Sequence, residues 1–214
     1  MRRNRILWSS IALAATLLAG GTRLSPAQAA DIIDEWVNAK APPPPALKPV
    51  TVDPKTTALL MLDFLQANCG HRPSCLAEMP VMKKLLDAAR GAGATVIYSG
   101  FGNATASDVI KDVAPPANEP LIHSNADKFL NTDLDKMLKD KGIQTVITVG
   151  TAANGAILYT AGGAALRGYK VIIPVDGLSA DDLYAMQFTV WELVHATPDF
   201  VSRVTLTRSD MIKF

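Results

Sequence analysis

The sequence has few metal-ligating side chains and little excess of charge. Three histidines occur in 214 residues, His71, His123 and His195. None stands at i,i+4 or another ligand spacing from a second donor, so neither a metal nor another cofactor is expected. Lys and Arg number 21 against 20 Asp and Glu, a formal net charge of +1. Basic residues cluster only at the N-terminus, which gives no case for nucleic acid. No internal repeat is evident. The longest uncharged apolar run, ILWSSIALAATLLAG at 6–20, is shorter than the roughly 20 residues a membrane span needs. Cysteine is nearly absent: Cys69 and Cys75 stand alone, in NCGHRPSC.

What is present begins with that N-terminal run. MRRNR supplies a basic start, the apolar run follows, and SPAQAA ends in small residues, so cleavage after Ala29 or Ala30 is expected. Residues 1–30 are read as a signal peptide, against the alternative of an uncleaved anchor. The expectation is a secreted or periplasmic chain with no membrane association after cleavage. The Arg2–Arg3 pair admits a twin-arginine route. An oxidising compartment permits a Cys69–Cys75 disulfide; the alternative is two free thiols in a loop.

Residues 31–50 are read as a short amphipathic helix, DIIDEWVNAK, followed by a proline-rich tether, APPPPALKPV, whose prolines favour extended backbone. The globular domain is expected over 51–214. There, strands alternate with helices. TTALLMLDF (56–64) is a continuous apolar run, as a strand covered on both faces requires. Helix is predicted over 76–93 and strand over 95–100. Residues 101–120 read as a long polar loop, of a length usually given to lids or mobile segments. A short edge strand at 121–124 precedes a helix over 131–142, capped by Asn131 or Thr132 and stopped at Gly142. Strand 145–150, a small-residue helix, strand 169–177, a helix over 179–196 opened by Ser179, and a last strand over 200–207 complete the pattern. Repeated β–α units imply a three-layer α/β/α fold with a mostly parallel sheet. Sites in such sheets lie beyond the strands' carboxyl ends, which selects Asp63, Ser99–Gly102, the turn at 150–156, and Asp176.

Asp63 ends an otherwise apolar strand. Half desolvated there, its carboxyl can act as a general base, or it can simply cap the next loop. The hydroxyls of Ser99, Thr151, Thr160 and Ser179 have no base visible in sequence, and Ser179 reads better as a helix cap. His195 reads as packing or capping. Tyr184, Phe188 and Trp191 fall at helical spacing and suit the core or a subunit contact.

The strand ALLMLDFLQAN resembles the opening strand of the isochorismatase-like hydrolases, the cysteine hydrolase superfamily. KFLNTDLDKMLKDKGIQTVITVGTAANGAILYTAGGAALRGYKVIIPVDGLSA resembles that family's second half, with Phe129, Thr132 and Leu134 on its phenylalanine–x–x–threonine–x–leucine pattern. The resemblance covers most of residues 56–206. It implies an Asp–Lys–Cys triad, a small-molecule amide or related substrate, and a homo-oligomer. Asp63 falls on the aspartate and Ala156 on the cysteine. The lysine position, six residues before Phe129, is His123. Lys128 is five positions further on, an odd offset that sends a strand residue to the other face unless a bulge intervenes. Gln66, Gly150, Thr151, Ala152 and Gly155 are the expected ligand-binding positions, with the helix start near Gly155 favouring an anion. Three functions follow: hydrolysis by an altered mechanism, ligand binding without catalysis, and a scaffold whose partner docks on 101–120.

Overall fold

The computed structural model describes residues 30–214. The proposed signal peptide therefore lies almost wholly outside the described residues. No helix among the described residues is long and apolar enough to cross a membrane. Residues 44–214 form one compact unit, separate from the residues before Pro44. In the earlier unit, the helix expected over 31–40 is reduced to a turn and a single 3-10 turn, Trp36–Asn38. The Asp31 carboxylate accepts from the N–H groups of Ile33 and Asp34, at 2.8 and 3.1 Å, closing a local turn instead of a helix.

The compact unit holds a seven-stranded sheet. Its strands are β2 (Thr57–Leu62), β3 (Thr95–Gly100), β4 (Leu121–His123), β5 (Thr145–Thr151), β6 (Lys170–Pro174), β7 (Leu178–Ser179) and β8 (Val204–Thr207). The order is β4-β3-β2-β5-β6-β8, with β7 also pairing β5, and every pairing is parallel. A separate two-stranded parallel ladder joins β1 (Val50–Thr51) to β9 (Ile212–Lys213). The chain joins this unit ahead of Thr51: Lys48 N donates to Leu206 O at 3.0 Å, and Leu47 packs on the core.

Alternation along β2 explains the three layers. Ala58, Leu60 and Leu62 join one buried cluster with residues of α2 (Leu134–Asp140), α3 (Leu158–Leu166) and α4 (Leu183–His195). Leu59 and Met61 join the other, with Met79, Met82, Leu85, Leu86 and Ala89 of α1 (Pro73–Ala92). Both faces are covered, so all six residues of β2 are buried. Each fully buried Leu there contributes about 1.5–3 kcal/mol. Gly150 lets β5 approach β2 closely. Its φ is 145°, and a Cβ would lie 2.0 Å from Leu62 O, so no side chain fits.

Several features differ from the sequence reading. Ser179 does not open α4; it lies buried in β7, and Asp182 caps the helix by accepting from Ala185 N at 2.7 Å. The last strand is only Val204–Thr207, because Pro198 opens a short helix, α5 (Pro198–Val201). Asp133 occupies the cap position of α2, while Thr132 Oγ1 accepts from Leu134 N at 3.2 Å. The 101–120 loop is pinned to the fold. Val109, Ile110 and Val113 are buried, Ile110 N donates to Phe64 O, and Arg90 makes a bidentate pair with Glu119. Its polar composition hides those anchors.

Candidate functional site

Asp63 leaves β2 at the sheet's carboxyl edge with φ 54°, and its residue is 6% exposed. Ser99, at the neighbouring end of β3, donates its hydroxyl to Asp63 Oδ1 at 2.7 Å. Lys128 Nζ donates to Asp63 Oδ2 at 2.7 Å and to the carbonyls of Ser124 and Asn125 at 3.1 and 2.5 Å. Lys128 is fully buried, and these three acceptors match its three N–H donors. Burial raises the Asp63 pKa above its ordinary value, while Lys128, by charge and hydrogen bond, and then Ser99 pull it back.

The lysine arrives by a route that strand alternation does not describe. β4 ends at His123, and the chain then turns. Ser124 Oγ donates to Asp127 O, Phe129 N to Asp127 Oδ1, and Lys128 N to Thr160 Oγ1. Thr132 Oγ1 closes the turn by donating to Lys128 O at 2.5 Å. Lys128 is thus presented by a turn, and the facing expected from an odd offset is corrected. His123 is not beside Asp63 in this arrangement. It is exposed, with Nε2 2.6 Å from Ala104 O. His195 Nδ1 lies 2.8 Å from Trp191 O, and its ring stacks on Trp191. His71 is exposed.

The turn after β5 is apolar. A five-residue π-type turn, Ala153–Ile157, precedes α3, and the Thr151–Ala152 peptide is cis. Ala156 is 3% exposed and belongs to the same buried cluster as Leu60, Leu62 and Ala161. The helix-start donors expected to face a ligand are in part used internally: Gly155 N and Ile157 N both donate to Ala152 O, at 3.0 and 3.3 Å. Thr151 is buried, accepts from Arg72 Nη1, and donates to Ser179 O at 3.3 Å. Gln66 is exposed, with its N–H donating to Asp108 O. Gly150 serves the close approach to β2 described above.

Sequence reasoning missed the partners of two residues. Ser99 lacked a visible base because its partner lies 36 residues away, and only the register of β2 with β3 joins them. Arg72 lies between the two cysteines, which form a disulfide. It pairs with Asp181 at 2.8 Å as well as reaching Thr151. Asp176, selected by its place at the sheet edge, accepts from Ser209 N and Oγ at 2.9 and 2.7 Å. Among the described residues, no group of three or more His, Cys, Asp or Glu is placed to hold a metal ion.

Chemically, the arrangement offers a buried, oriented carboxylate and no thiol at the turn. A family model described as the Isochorismatase domain matches residues 57–204. An uncharacterized isochorismatase family protein of Bacillus subtilis (strain 168) is 31% identical over 80 residues, which are 37% of this chain and 44% of that protein. The chain thus spans less than half the length of that curated relative. Among solved structures, a cysteine hydrolase from Pseudomonas syringae pv. phaseolicola superposes with a TM-score of 0.66 at 24% identity, covering 78% of this chain and 94% of that one. An isochorismatase-like hydrolase from Alkaliphilus metalliredigens gives 0.64 at 23%, covering 72% and 95%. N-carbamoylsarcosine amidase from Thermoplasma acidophilum gives 0.61 at 22%, covering 72% and 97%. At these identities the structural matches show the fold alone.

Proposed function

We propose, from the premise that the chain belongs to the isochorismatase-like hydrolase family, that it hydrolyses a small amide or a related small molecule using Asp63 to activate water. The observation that carries this reading is the Asp63–Lys128–Ser99 unit. Taking two charges out of water is costly unless the pair is fully hydrogen-bonded, and here it is. The unit is read as an acid–base device in a chain whose turn carries Ala156 where the family resemblance implies a cysteine.

In the proposed step, Asp63 takes a proton from water as the oxygen adds to the carbonyl carbon. The tetrahedral species collapses, the C–N bond breaks, and the amine leaves with the proton returned by Asp63. The products are a carboxylic acid and an amine, or ammonia from a primary amide. General base catalysis of this kind contributes typically about 10²–10⁴-fold. Lys128 and Ser99 hold Asp63 in place. Covalent catalysis at Ala156 is closed, since a methyl group is not a nucleophile.

The second reading is binding without turnover, and Ala156 favours it: an inert methyl in the turn leaves the rest of the frame intact. Export to a secreted or periplasmic location is part of the proposal. Its support is the basic and apolar N-terminal sequence and the Cys69–Cys75 disulfide. A homo-oligomer is supported by exposed Leu166, Leu183, Phe188 and Trp191 on α3 and α4.

Ammonia release from a panel of small amides tests the choice, with the natural chain run beside Ala156→Cys. Turnover by the natural chain is the expected result. Activity only in the Cys variant, with ligand-dependent thermal stabilisation of the natural chain, supports the binder and overturns water activation.

A further inference from the structure

An arginine fork lies at the same edge of the sheet as Asp63. Leu62 of β2 pairs with Gly150 of β5, so the residues that follow them, Asp63 and Thr151, leave the sheet at one carboxyl edge. Arg72 reaches that edge from the loop that the Cys69–Cys75 disulfide closes. Its Nη1 donates to Thr151 Oγ1, which fixes the guanidinium to the frame. Its Nε and Nη2 donate to the two carboxylate oxygens of Asp181, at 2.8 and 3.0 Å. The two partners differ in exposure: the Arg72 side chain is 12% exposed and that of Asp181 is 79% exposed.

Two parallel N–H···O bonds are the geometry by which arginine recognises a carboxylate. The plain role of this pair is to pin the loop after β7. An ion pair with a well-exposed partner stabilises a fold only slightly, however. A guanidinium drawn out of water with no anion beside it is costly. Arg72 therefore requires a carboxylate, whereas Asp181 gains little from supplying one. Among the described residues, the Asp181 carboxylate bonds to Arg72 alone.

Space for a ligand adjoins the fork. A cavity of about 410 Å³ is lined by Arg72, His71, Asp181, Asp182, Leu183 and Met186, together with neighbouring backbone. Asp182 is committed to α4, where it accepts from Ala185 N at 2.7 Å. Leu183 is exposed, and with Met186 it gives the cavity an apolar wall. A cationic fork and an aliphatic wall in one cavity suit a small molecule with a carboxylate and an apolar body.

We propose that Arg72 anchors a binding site for such a carboxylate, and that Asp181 is the resident acid which the ligand displaces. The exchange conserves both charge-assisted hydrogen bonds, because one carboxylate replaces another while Arg72 keeps Thr151. The released Asp181 side chain passes into the water that already surrounds most of it. The apolar body of the ligand covers Leu183 and Met186. No bond of the ligand is made or broken, so the site stands whether or not the chain turns over an amide.

Thermal melts with butyrate and benzoate as probes test this site, on the natural chain with its disulfide intact and at constant ionic strength set by chloride. Benzyl alcohol, similar in shape to benzoate but uncharged, is the control. Both carboxylates are expected to raise the melting temperature saturably, and benzyl alcohol is not. Asp181→Asn vacates the fork, so half-maximal stabilisation is expected at a several-fold lower carboxylate concentration. Arg72→Gln is expected to abolish the response. Absence of a saturable response in both the natural chain and Asp181→Asn overturns the site. A response confined to Asp181→Asn overturns the displacement, and so does an identical titration of the two proteins. A response that survives in Arg72→Gln places the probes elsewhere and overturns the proposal. Should the Gln variant fail to fold, Arg72→Lys decides: it keeps the charge and loses the fork, so a several-fold weaker titration is expected, and an unaltered one overturns the role of Arg72.

Discussion

Asp63, which is buried, and Glu78, which is half-buried on α1, are two acids of the same compact unit, and they differ in what meets the charge. Asp63 faces Lys128 and Ser99, one partner for each oxygen. Glu78 Oε2 is buried without a well-formed hydrogen bond, and Asp176 adds a like charge. Burial raises both, and it is opposed by an ion pair at Asp63 and hardly opposed at Glu78. The lesson is that depth alone does not define a site. A carboxylate kept ready to accept a proton needs a cation that is itself saturated, and Lys128 meets that condition through two backbone carbonyls.

The largest effect comes from making Asp63 resemble Glu78. Lys128→Met leaves a buried carboxylate unpaired and is expected to cost about 3–5 kcal/mol at neutral pH, read by denaturant unfolding. The loss shrinks on acidification, because Asp63 without its cation takes up a proton more readily. A loss independent of pH would mean that packing of the lysine stem, and not its charge, holds the turn. Ser99→Ala is the intermediate case. It removes one of the two hydrogen bonds to Asp63 while keeping the ion pair, so about 1–3 kcal/mol is expected by the same measurement. Ser179→Ala gives the smallest change. It deletes a buried hydroxyl that lowers the Glu78 pKa, so acid-pH stability is nearly unaltered and the pH range over which Glu78 loses its proton moves upward, read by thermal melts against pH. A downward move would show that Ser179 does not act on Glu78.

Much of the frame was legible because strands buried on both faces announce themselves. TTALLMLDF and TVITVG carry no polar alternation, and their order with intervening helices fixes a parallel three-layer arrangement. Asp63 was legible for the same reason, as a charge at the end of an apolar run. The placement of Lys128 was not, because periodicity describes residues inside strands and Lys128 lies in a turn built by Ser124, Asp127, Thr132 and Thr160. Ser99 and Glu78 required tertiary packing: Ser99 meets Asp63 only once β3 lies beside β2, and Glu78 comes under the charge of Asp176 only once α1 packs near the 175–177 turn. A glutamate within the Cys75–Met79–Met82 stripe was the one local sign of the second acid. Ser179 misled as a cap because Asp182, three residues later, performs that role.

The central claim is that Asp63 is the base of a water-using hydrolase. Its most direct test is amide turnover by Asp63→Asn, on the amide that the natural chain cleaves fastest, with circular dichroism confirming the variant is folded. The account predicts a fall of about 10²–10⁴-fold in turnover with substrate binding retained. Unchanged turnover in the folded Asn variant would contradict it.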